Sequence, residues 1–176
     1  MRYHLCWGTY GSWLPGDPRG FRTRHHCRHV EGDYRHPPPP GEYSALCAHA
    51  KRSLKKPPVE IAPPLRETIA RACLEQFVKE SIDVFAIAVD SWHVHAAVEC
   101  PSAGIKQCLG RVKKVSSHRV RRCIPGRLWQ AGCHVVAVRD ERHWKTLLGY
   151  ITAHAPAAWV WQKECPRADA KKQTRV

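Results

Sequence analysis

The sequence predicts an α+β fold built on one antiparallel sheet. Two observations lead to this prediction. Short segments with apolar residues on alternate positions, which indicate strands, are interspersed with longer segments whose apolar residues recur every three or four positions, which indicate helices. Apolar residues also make up 43% of the 176 positions, which is enough for a hydrophobic core in one domain.

The first strand is predicted over residues 2–9, because Tyr3, Leu5 and Trp7 share one parity. Residues 10–63 then form a long loop insertion rich in proline and glycine. A connection of this length in a compact domain is typical of a functional or partly disordered segment.

The following segments alternate between helix and strand. Proline suits the first turn of a helix predicted over 64–80, and Leu65, Ile69, Cys73 and Phe77 recur on one face of it. Residues 82–89 and 92–100 predict a β-hairpin with a tight connection at Asp90.

The second half of the chain predicts two more helices around a short strand. A helix over 102–123 is ended by a Pro-Gly pair, and a strand follows over 133–138. Asp140 is the expected N-cap of a third helix over 141–154, which Pro156 ends. The order βαββαβ, with helices on one face of the sheet and a further helix after it, is the ferredoxin-like (RRM-like) arrangement. Residues 1–162 are predicted to form one domain, and 163–176 a basic, disordered tail.

The charge balance predicts a polyanionic partner. Lysine and arginine number 29 against 15 acidic residues, a formal charge of +14, and such an excess favours nucleic acid over a small acidic ligand. Nine cysteines without a C-x-x-C pair are typical of a reducing cytoplasm. No apolar run approaches the length of a membrane span, so no membrane association is expected.

Two pairs of residues have the spacing of a reactive site. His93 and His95 alternate with Val94 on a strand, so both imidazoles face one side. Tyr150 and His154 lie four apart on the third helix and therefore share a face. Neither pair is informative alone, because twelve histidines give roughly one His-x-His pair by chance, and structural packing explains either pair equally well. Together they supply three imidazoles and one phenol, a combination suited to phosphodiester chemistry.

At these residues the chain resembles the single-tyrosine HUH transposases, including the REP-associated tyrosine transposases. The resemblance is carried by the His-hydrophobic-His pair, the lone tyrosine and a polar residue four positions after it. It extends to residues 3–17 and 128–132 and covers about residues 2–160. The family often has Asn where Trp92 stands, and Asn or Gln where His154 stands.

The resemblance implies an enzyme with defined roles at the site. His93, His95 and His154 would bind a divalent metal, Mg²⁺ or Mn²⁺, and the nitrogen-rich ligand set would favour Mn²⁺. Tyr150 would be the nucleophile that cleaves single-stranded DNA with hairpin structure, leaving a 5′-phosphotyrosine and a free 3′-hydroxyl. Family members occur as monomers and dimers, so a homodimer is also compatible with the resemblance.

The second predicted helix carries a dense set of cations. DNA backbone contact is predicted for this face, although a merely solvated face is the usual reading of such a run. Trp13, Phe21, Tyr34 and Trp92 are candidates for stacking on unpaired bases. The cations predicted to bind nucleic acid are Lys106, Arg111, Lys113, Lys114, Arg121 and Arg122.

Three alternatives stay open at this stage. A ferredoxin-like nucleic-acid binder without catalysis, such as a repressor or RNA binder, would share the charge and the fold. A replication initiator or relaxase is disfavoured by the chain length and by the lack of a second tyrosine on the third helix. A zinc site in the long loop would use Cys27, His29, Cys47 and His49, with His25 and His26 nearby, but one-residue spacing is unusual for zinc ligands.

Overall fold

A computed structural model describes residues 1–18, 39–101 and 104–164. The elements are β1 (Arg2–Gly8), α1 (Ser44–Arg52), α2 (Pro63–Lys79), β2 (Asp83–Val89), β3 (His93–Glu99), α3 (Ile105–Arg119), β4 (His134–Ala137), α4 (Glu141–Thr152) and β5 (Trp159–Gln162). The strands form one sheet in the order β4-β1-β3-β2-β5, and all four pairings are antiparallel. The predicted ferredoxin-like α+β fold is confirmed, with one strand added beside β2.

The structure adds two elements that the sequence analysis did not predict. Helix α1 lies within the long segment predicted as a loop, and Cys47 is its one buried residue. Strand β5 has only four residues and lies at the sheet edge. Both elements are too short to show a clear apolar period, which is why the pattern missed them. The predicted tail beyond residue 164 lies outside the described residues.

The alternation of side chains along the strands gives the sheet two different faces. One face presents large apolar residues, among them Leu5, Trp7 and Val94, and packs against α2 and α3. The other face presents the small side chains of Ala86, Ala88 and Ala97. Helix α4 covers this second face. Among the described residues, no other helix contributes to the apolar cluster there.

Helix α4 is fixed at its start and along one side. Asp140 is the N-cap, as predicted, and accepts a hydrogen bond from the backbone N–H of His143 at 2.7 Å. Trp144, Leu147 and Ile151 are buried at helical spacing against the alanines. The Arg2 guanidinium of β1 donates to Glu141 at 2.6 Å, which adds a link between the first strand and the first turn of the helix.

The segment before α2 is held against the end of the β2–β3 hairpin. The Ile61 backbone N–H donates to the Ser91 carbonyl at 2.8 Å, and the Ile61 side chain is fully buried. Arg66 donates to the Ser91 hydroxyl at 2.7 Å and to the Ala157 carbonyl at 2.5 Å. The hairpin turn and the loop after α4 are therefore joined through one guanidinium.

Within the described ranges, no helix is both long enough and apolar enough to cross a membrane.

Two neighbouring residues of α2 provide a test of the core. Phe77 is fully buried and Val78 is 73% exposed. We expect Phe77→Ala to lower the free energy of unfolding by about 3–5 kcal/mol, because it removes a buried ring and leaves a cavity. Val78→Ala should change it by less than about 0.5 kcal/mol. Urea unfolding followed by circular dichroism measures both, and equal losses would contradict the described packing of α2.

Candidate active site

Two histidines of β3 face the same side of the sheet, as alternation requires. His95 is 5% exposed, and its ring centroid lies 4.4 Å from that of His93. Val94, between them, is buried in the core on the opposite face. The β2–β3 hairpin holds both imidazoles on the face that α4 covers.

The end of α4 brings a phenol and a third imidazole to these two rings. The Tyr150 hydroxyl lies 3.4 Å from His95 Nε2. The ring centroid of His154 is 4.9 Å from that of His95 and 5.8 Å from that of His93. His154 lies two residues beyond the end of α4, which stops at Thr152 rather than at the predicted residue 154. Ala153 keeps helical dihedrals, so the four-residue spacing still puts Tyr150 and His154 on one side.

The three histidines form a group that could bind a metal ion. One ligand nitrogen from each lies within 4.8 Å of the others, and no second such group occurs in the part of the chain that the structure describes. Two imidazole nitrogens bound to one ion at about 2.1 Å can be at most about 4.2 Å apart. The observed separations lie close to this limit, and the donor set fits a divalent metal.

Each of these imidazoles also has a partner at its other nitrogen. His93 Nδ1 lies 2.7 Å from Asp90 Oδ2, and His95 Nδ1 lies 2.9 Å from His4 Nε2. His154 Nδ1 lies 2.9 Å from the Tyr150 carbonyl oxygen. Because Nδ1 is engaged in each ring, Nε2 is the nitrogen available to a shared ligand. In His95 such a ligand would replace the 3.4 Å contact with the Tyr150 hydroxyl.

Burial favours the neutral form of two imidazoles, His95 and its partner His4. Desolvation, together with the neighbouring imidazoles, lowers the pKa of His95 to about 2. Desolvation and the charges of His134, His143 and His154 lower the pKa of His4 to about 4. Neutral imidazole is the form that binds metals.

Asp90 behaves in the opposite way and stays charged. Burial opposes its ionisation, but hydrogen bonds from the His93 side chain and from the backbone N–H groups of Trp92 and His93 outweigh this and lower its pKa to about 2. Both backbone donors reach Oδ1 at 2.7 Å. The carboxylate is therefore an ionised acceptor fixed in the hairpin turn.

Three residues of this site, His4, Asp90 and Cys6, were not predicted from the sequence. His4 and Cys6 occupy the parity of β1 opposite its apolar residues, and Cys6 is in register with His95. Burial raises the pKa of the Cys6 thiol to about 12, so it remains a neutral thiol there. His4 could have been found from the alternation along β1, which places it on the face opposite Tyr3, Leu5 and Trp7. Asp90 was predicted only as a turn residue.

The predicted basic helix lies on the other side of the sheet. The apolar residues of α3 belong to the core beneath α2, whereas Tyr150 belongs to the helix on the alanine face. Arg111 pairs with Glu80, the C-cap residue directly after α2, through two hydrogen bonds of 2.6 and 2.5 Å. Arg119 pairs with Glu75 at 2.6 Å. Acidic partners, which are scarce on α3 itself, are thus supplied by α2 and its C-cap.

The other predicted cations of this helix differ in their surroundings. Lys113 Nζ donates to the carbonyl oxygens of Gln130 and Gly132 at 2.9 and 2.6 Å. Arg121 contacts the His118 ring. The remaining three, Lys106, Lys114 and Arg122, are exposed.

Of the remaining residues predicted for base stacking or zinc binding, four lie within the described residues and six lie outside them. Trp13 and Trp92 are 44% and 37% exposed, which is compatible with stacking on a ligand. Cys47 is buried and His49 is exposed on α1. The other residues considered for zinc or stacking, His25, His26, Cys27, His29, Phe21 and Tyr34, lie outside the described residues.

Comparison with known proteins identifies the family. Residues 54–154, more than half of the chain, match the family of IS200-like transposases. The chain belongs to this family. The matched segment contains β3, α4 and all three histidines of the group described above. Membership of the IS200-like transposases makes the protein a transposase-type, DNA-processing enzyme. No curated protein gives a significant match.

Solved structures of transposases also resemble the chain, at low sequence identity. A REP-associated tyrosine transposase bound to a REP hairpin is 12% identical, with a TM-score of 0.49, and the match covers 89% of this chain and 74% of that one. A Deinococcus radiodurans R1 protein assigned to the transposases is 14% identical, with a TM-score of 0.45, covering 87% of this chain and 89% of that one.

The lowered pKa values of His4 and His95 predict a loss of stability in acid. Both rings stay neutral in the folded state below pH 6.5, where the unfolded chain takes up protons, so stability is complete above about 6.5 and declines towards about 4. We expect the free energy of unfolding to fall by up to about 1.4 kcal/mol per pH unit for each of the two rings.

Urea titrations at pH 7, 6 and 5 in EDTA measure this slope. The double variant His4→Gln/His95→Gln should flatten it, and the control His49→Gln, an exposed histidine on α1, should not. An unchanged slope in the double variant would show that other groups cause the acid sensitivity.

Proposed function

We propose that the protein is a metal-dependent endonuclease and strand transferase that acts on single-stranded DNA through a 5′-phosphotyrosine intermediate. The observation that carries the proposal is the 3.4 Å separation between the Tyr150 hydroxyl and His95 Nε2, within the group formed by His93, His95 and His154. Membership of the IS200-like transposases supports the same assignment. Binding alone would require no nucleophile beside a metal-ligating group.

In this proposal the three histidines hold a divalent cation. Mn²⁺ is favoured over Mg²⁺, because imidazole is a softer ligand than the oxygens that Mg²⁺ prefers. A cation bound there would polarise a non-bridging phosphate oxygen of the DNA. The protein contributes three imidazoles at the sheet face that α4 covers.

Tyr150 performs the covalent step. Its phenolic oxygen attacks the phosphorus and loses its proton to water, and the bond from phosphorus to the 3′ oxygen breaks. The leaving 3′ oxygen takes a proton and becomes a free hydroxyl, while the 5′ phosphate stays on the tyrosine. Attack by another 3′-hydroxyl reverses the step and joins strands without ATP, since the phosphotyrosine bond retains the energy of the phosphodiester.

The proposed substrate is single-stranded DNA with hairpin structure. The exposed Tyr150, at 44%, leaves room for a phosphate at the phenol. Trp92 follows the hairpin turn directly before His93 and is exposed, so it offers a surface for stacking an unpaired base near the site.

Two basic surfaces are candidate paths for the DNA backbone. The first, Lys106, Lys114 and Arg122 on and after α3, lies on the sheet face opposite Tyr150, so DNA bound there must pass around a sheet edge. The second is an open cavity of about 360 Å³ at the start of α4, lined by Arg139, Asp140, Arg142, His143 and Thr146. Thr146 lies one helical turn before Tyr150, so this second surface is on the same helix as the nucleophile.

Removal of the phenol tests the nucleophile. Tyr150→Phe keeps the ring and removes the attacking oxygen, so we expect it to abolish an SDS-resistant adduct with labelled single-stranded hairpin DNA in Mn²⁺, while DNA affinity changes less than about threefold. Tyr3→Phe is the matched control, because Tyr3 lies on the opposite face and its hydroxyl contacts Met1 Sδ at 3.5 Å. Undiminished adduct in Tyr150→Phe excludes Tyr150 as nucleophile. DNA binding without any adduct in the wild type would instead favour a non-catalytic binder.

Removal of the metal or of one metal-binding histidine tests the proposed metal dependence of cleavage. EDTA should abolish cleavage and added Mn²⁺ should restore it, and His93→Ala or His95→Ala should remove cleavage at every Mn²⁺ concentration. His154→Ala should raise the Mn²⁺ concentration needed for half-maximal cleavage by at least about tenfold, since both ligands on the central strand β3 remain. His49→Ala serves as the control. Full cleavage in EDTA after dialysis would contradict a metal-dependent mechanism.

Salt dependence distinguishes the two backbone paths. For single strands the logarithm of affinity falls with the logarithm of salt concentration by about 0.7 per neutralised phosphate. If α3 contacts DNA, Lys106→Gln/Lys114→Gln/Arg122→Gln should make this slope shallower by about two units. Arg139→Gln/Arg142→Gln should make it shallower by about 1.4 units if the α4 surface is used. Fluorescence anisotropy at 50–300 mM salt measures both, and the variant without effect identifies the surface that DNA does not contact.

A further inference from the structure

We infer that His4 and Asp90 are positioning residues, which fix the tautomers of His95 and His93 so that Nε2 of each ring faces the metal. The inference rests on the metal site of the proposed function. Its basis is the pattern at the three Nδ1 atoms, each of which has a different partner: a carboxylate at His93, an imidazole at His95 and a backbone carbonyl at His154.

The chemistry of these partners fixes two of the tautomers. A neutral imidazole carries one N–H donor and one acceptor nitrogen. Ionised Asp90 and the Tyr150 carbonyl can only accept, so Nδ1 of His93 and of His154 must each carry the proton. Their Nε2 atoms are then left with the lone pair that a metal needs.

His95 is different, because its partner is another imidazole. His4 Nε2 can either accept a proton from His95 Nδ1 or donate one to it. Only the first arrangement leaves the His95 Nε2 lone pair for a metal. The tautomer of His4 therefore decides whether the buried central ligand presents a lone pair or an N–H.

The surroundings make His4 hard to replace at this position. His95 is 5% exposed, so bulk water cannot take over its Nδ1 hydrogen bond. His4 is opposite Ala97 in the β1–β3 register, two pairs along from Cys6 and His95 and therefore on the same face of the sheet. The small alanine leaves space for the His4 ring beside His95, edge to edge with centroids 5.1 Å apart.

Asp90 is held in place by the hairpin turn itself. Its Oδ1 accepts from the backbone N–H groups of Trp92 and His93, which leaves Oδ2 directed at the His93 ring. One carboxylate thus shapes the turn and orients the first histidine. In metalloproteins, partners of this kind typically change metal affinity 10–100-fold when removed.

The experiment compares four variants with the wild type. His4→Phe keeps a planar ring without nitrogen, and His4→Gln restores an acceptor at similar reach. Asp90→Asn keeps an oxygen for the turn but presents an NH₂ group to His93, which favours the wrong tautomer. Asp83→Asn is the control, since Asp83 is exposed and forms an ion pair with Lys163 at 3.5 Å.

Two readouts are needed besides cleavage. Long-range ¹H–¹⁵N NMR of the EDTA-treated protein reports the tautomer of each histidine, and calorimetry reports the affinity for Mn²⁺. In the wild type we expect Nδ1–H at His93, His95 and His154. His4→Phe should lose that preference at His95, Asp90→Asn should lose it at His93, and each should weaken Mn²⁺ binding about 10–100-fold. His4→Gln and Asp83→Asn should stay within about threefold.

The outcomes separate this inference from the proposed function. Unaltered tautomers and Mn²⁺ affinity in His4→Phe and Asp90→Asn would overturn the positioning roles. Equal losses in His4→Phe and His4→Gln would also overturn the role of His4, because they would point to packing rather than to the acceptor. If the wild type itself binds no Mn²⁺, the proposed function fails, and the NMR tautomers still decide whether His4 and Asp90 orient their partners.

Discussion

The packing of α4 on the alanines of the sheet is the contact on which the site depends. Burial of Trp144, Leu147 and Ile151 against Ala86, Ala88 and Ala97 contributes on the order of 5–8 kcal/mol as an upper estimate. The contact between the Tyr150 hydroxyl and His95, which is long at 3.4 Å, contributes at most about 1 kcal/mol. The apolar contact therefore determines where the helix lies, and the phenol reaches the imidazole as a consequence. Larger side chains on this face would lift the helix and separate the two groups.

The sheet divides stability and chemistry between its two faces. The face under α2 and α3 carries the large apolar side chains, while the α4 face combines small residues with polar ones such as His4, Cys6 and His95. The loss of a hydrogen-bond partner from a buried imidazole would lower the free energy of unfolding by about 1–3 kcal/mol. In His95 both nitrogens have a partner, which is how so polar a group is accommodated beside the core.

Much of the fold and of the site was predictable from the sequence, because apolar residues recur at helical spacing and side chains alternate along strands. The alternation at His93–His95 and the four-residue spacing of Tyr150 and His154 each place two groups on one face, and the order of elements indicates which elements meet. The roles inferred for His4 and Asp90 depend on register and on turn geometry, which short patterns do not contain. The pairing of Arg111 with Glu80 joins residues 31 positions apart and changes what the cations of α3 offer to a ligand. Helix α1 and strand β5 are too short for periodicity to reveal.

The two pairs of site residues lie on parts of the fold with unequal resistance to local opening. His93 and His95 are on β3, the central strand, which is hydrogen-bonded to β1 and β2 on both sides. Tyr150 is in the last turn of α4 and His154 is just beyond it, where carbonyl groups lack helical partners and ends fray most easily. Amide exchange should therefore be slow beneath the first two imidazoles and faster around the phenol and the third. Thermal fluctuation would loosen the nucleophile and one ligand together, while the other two ligands keep their places.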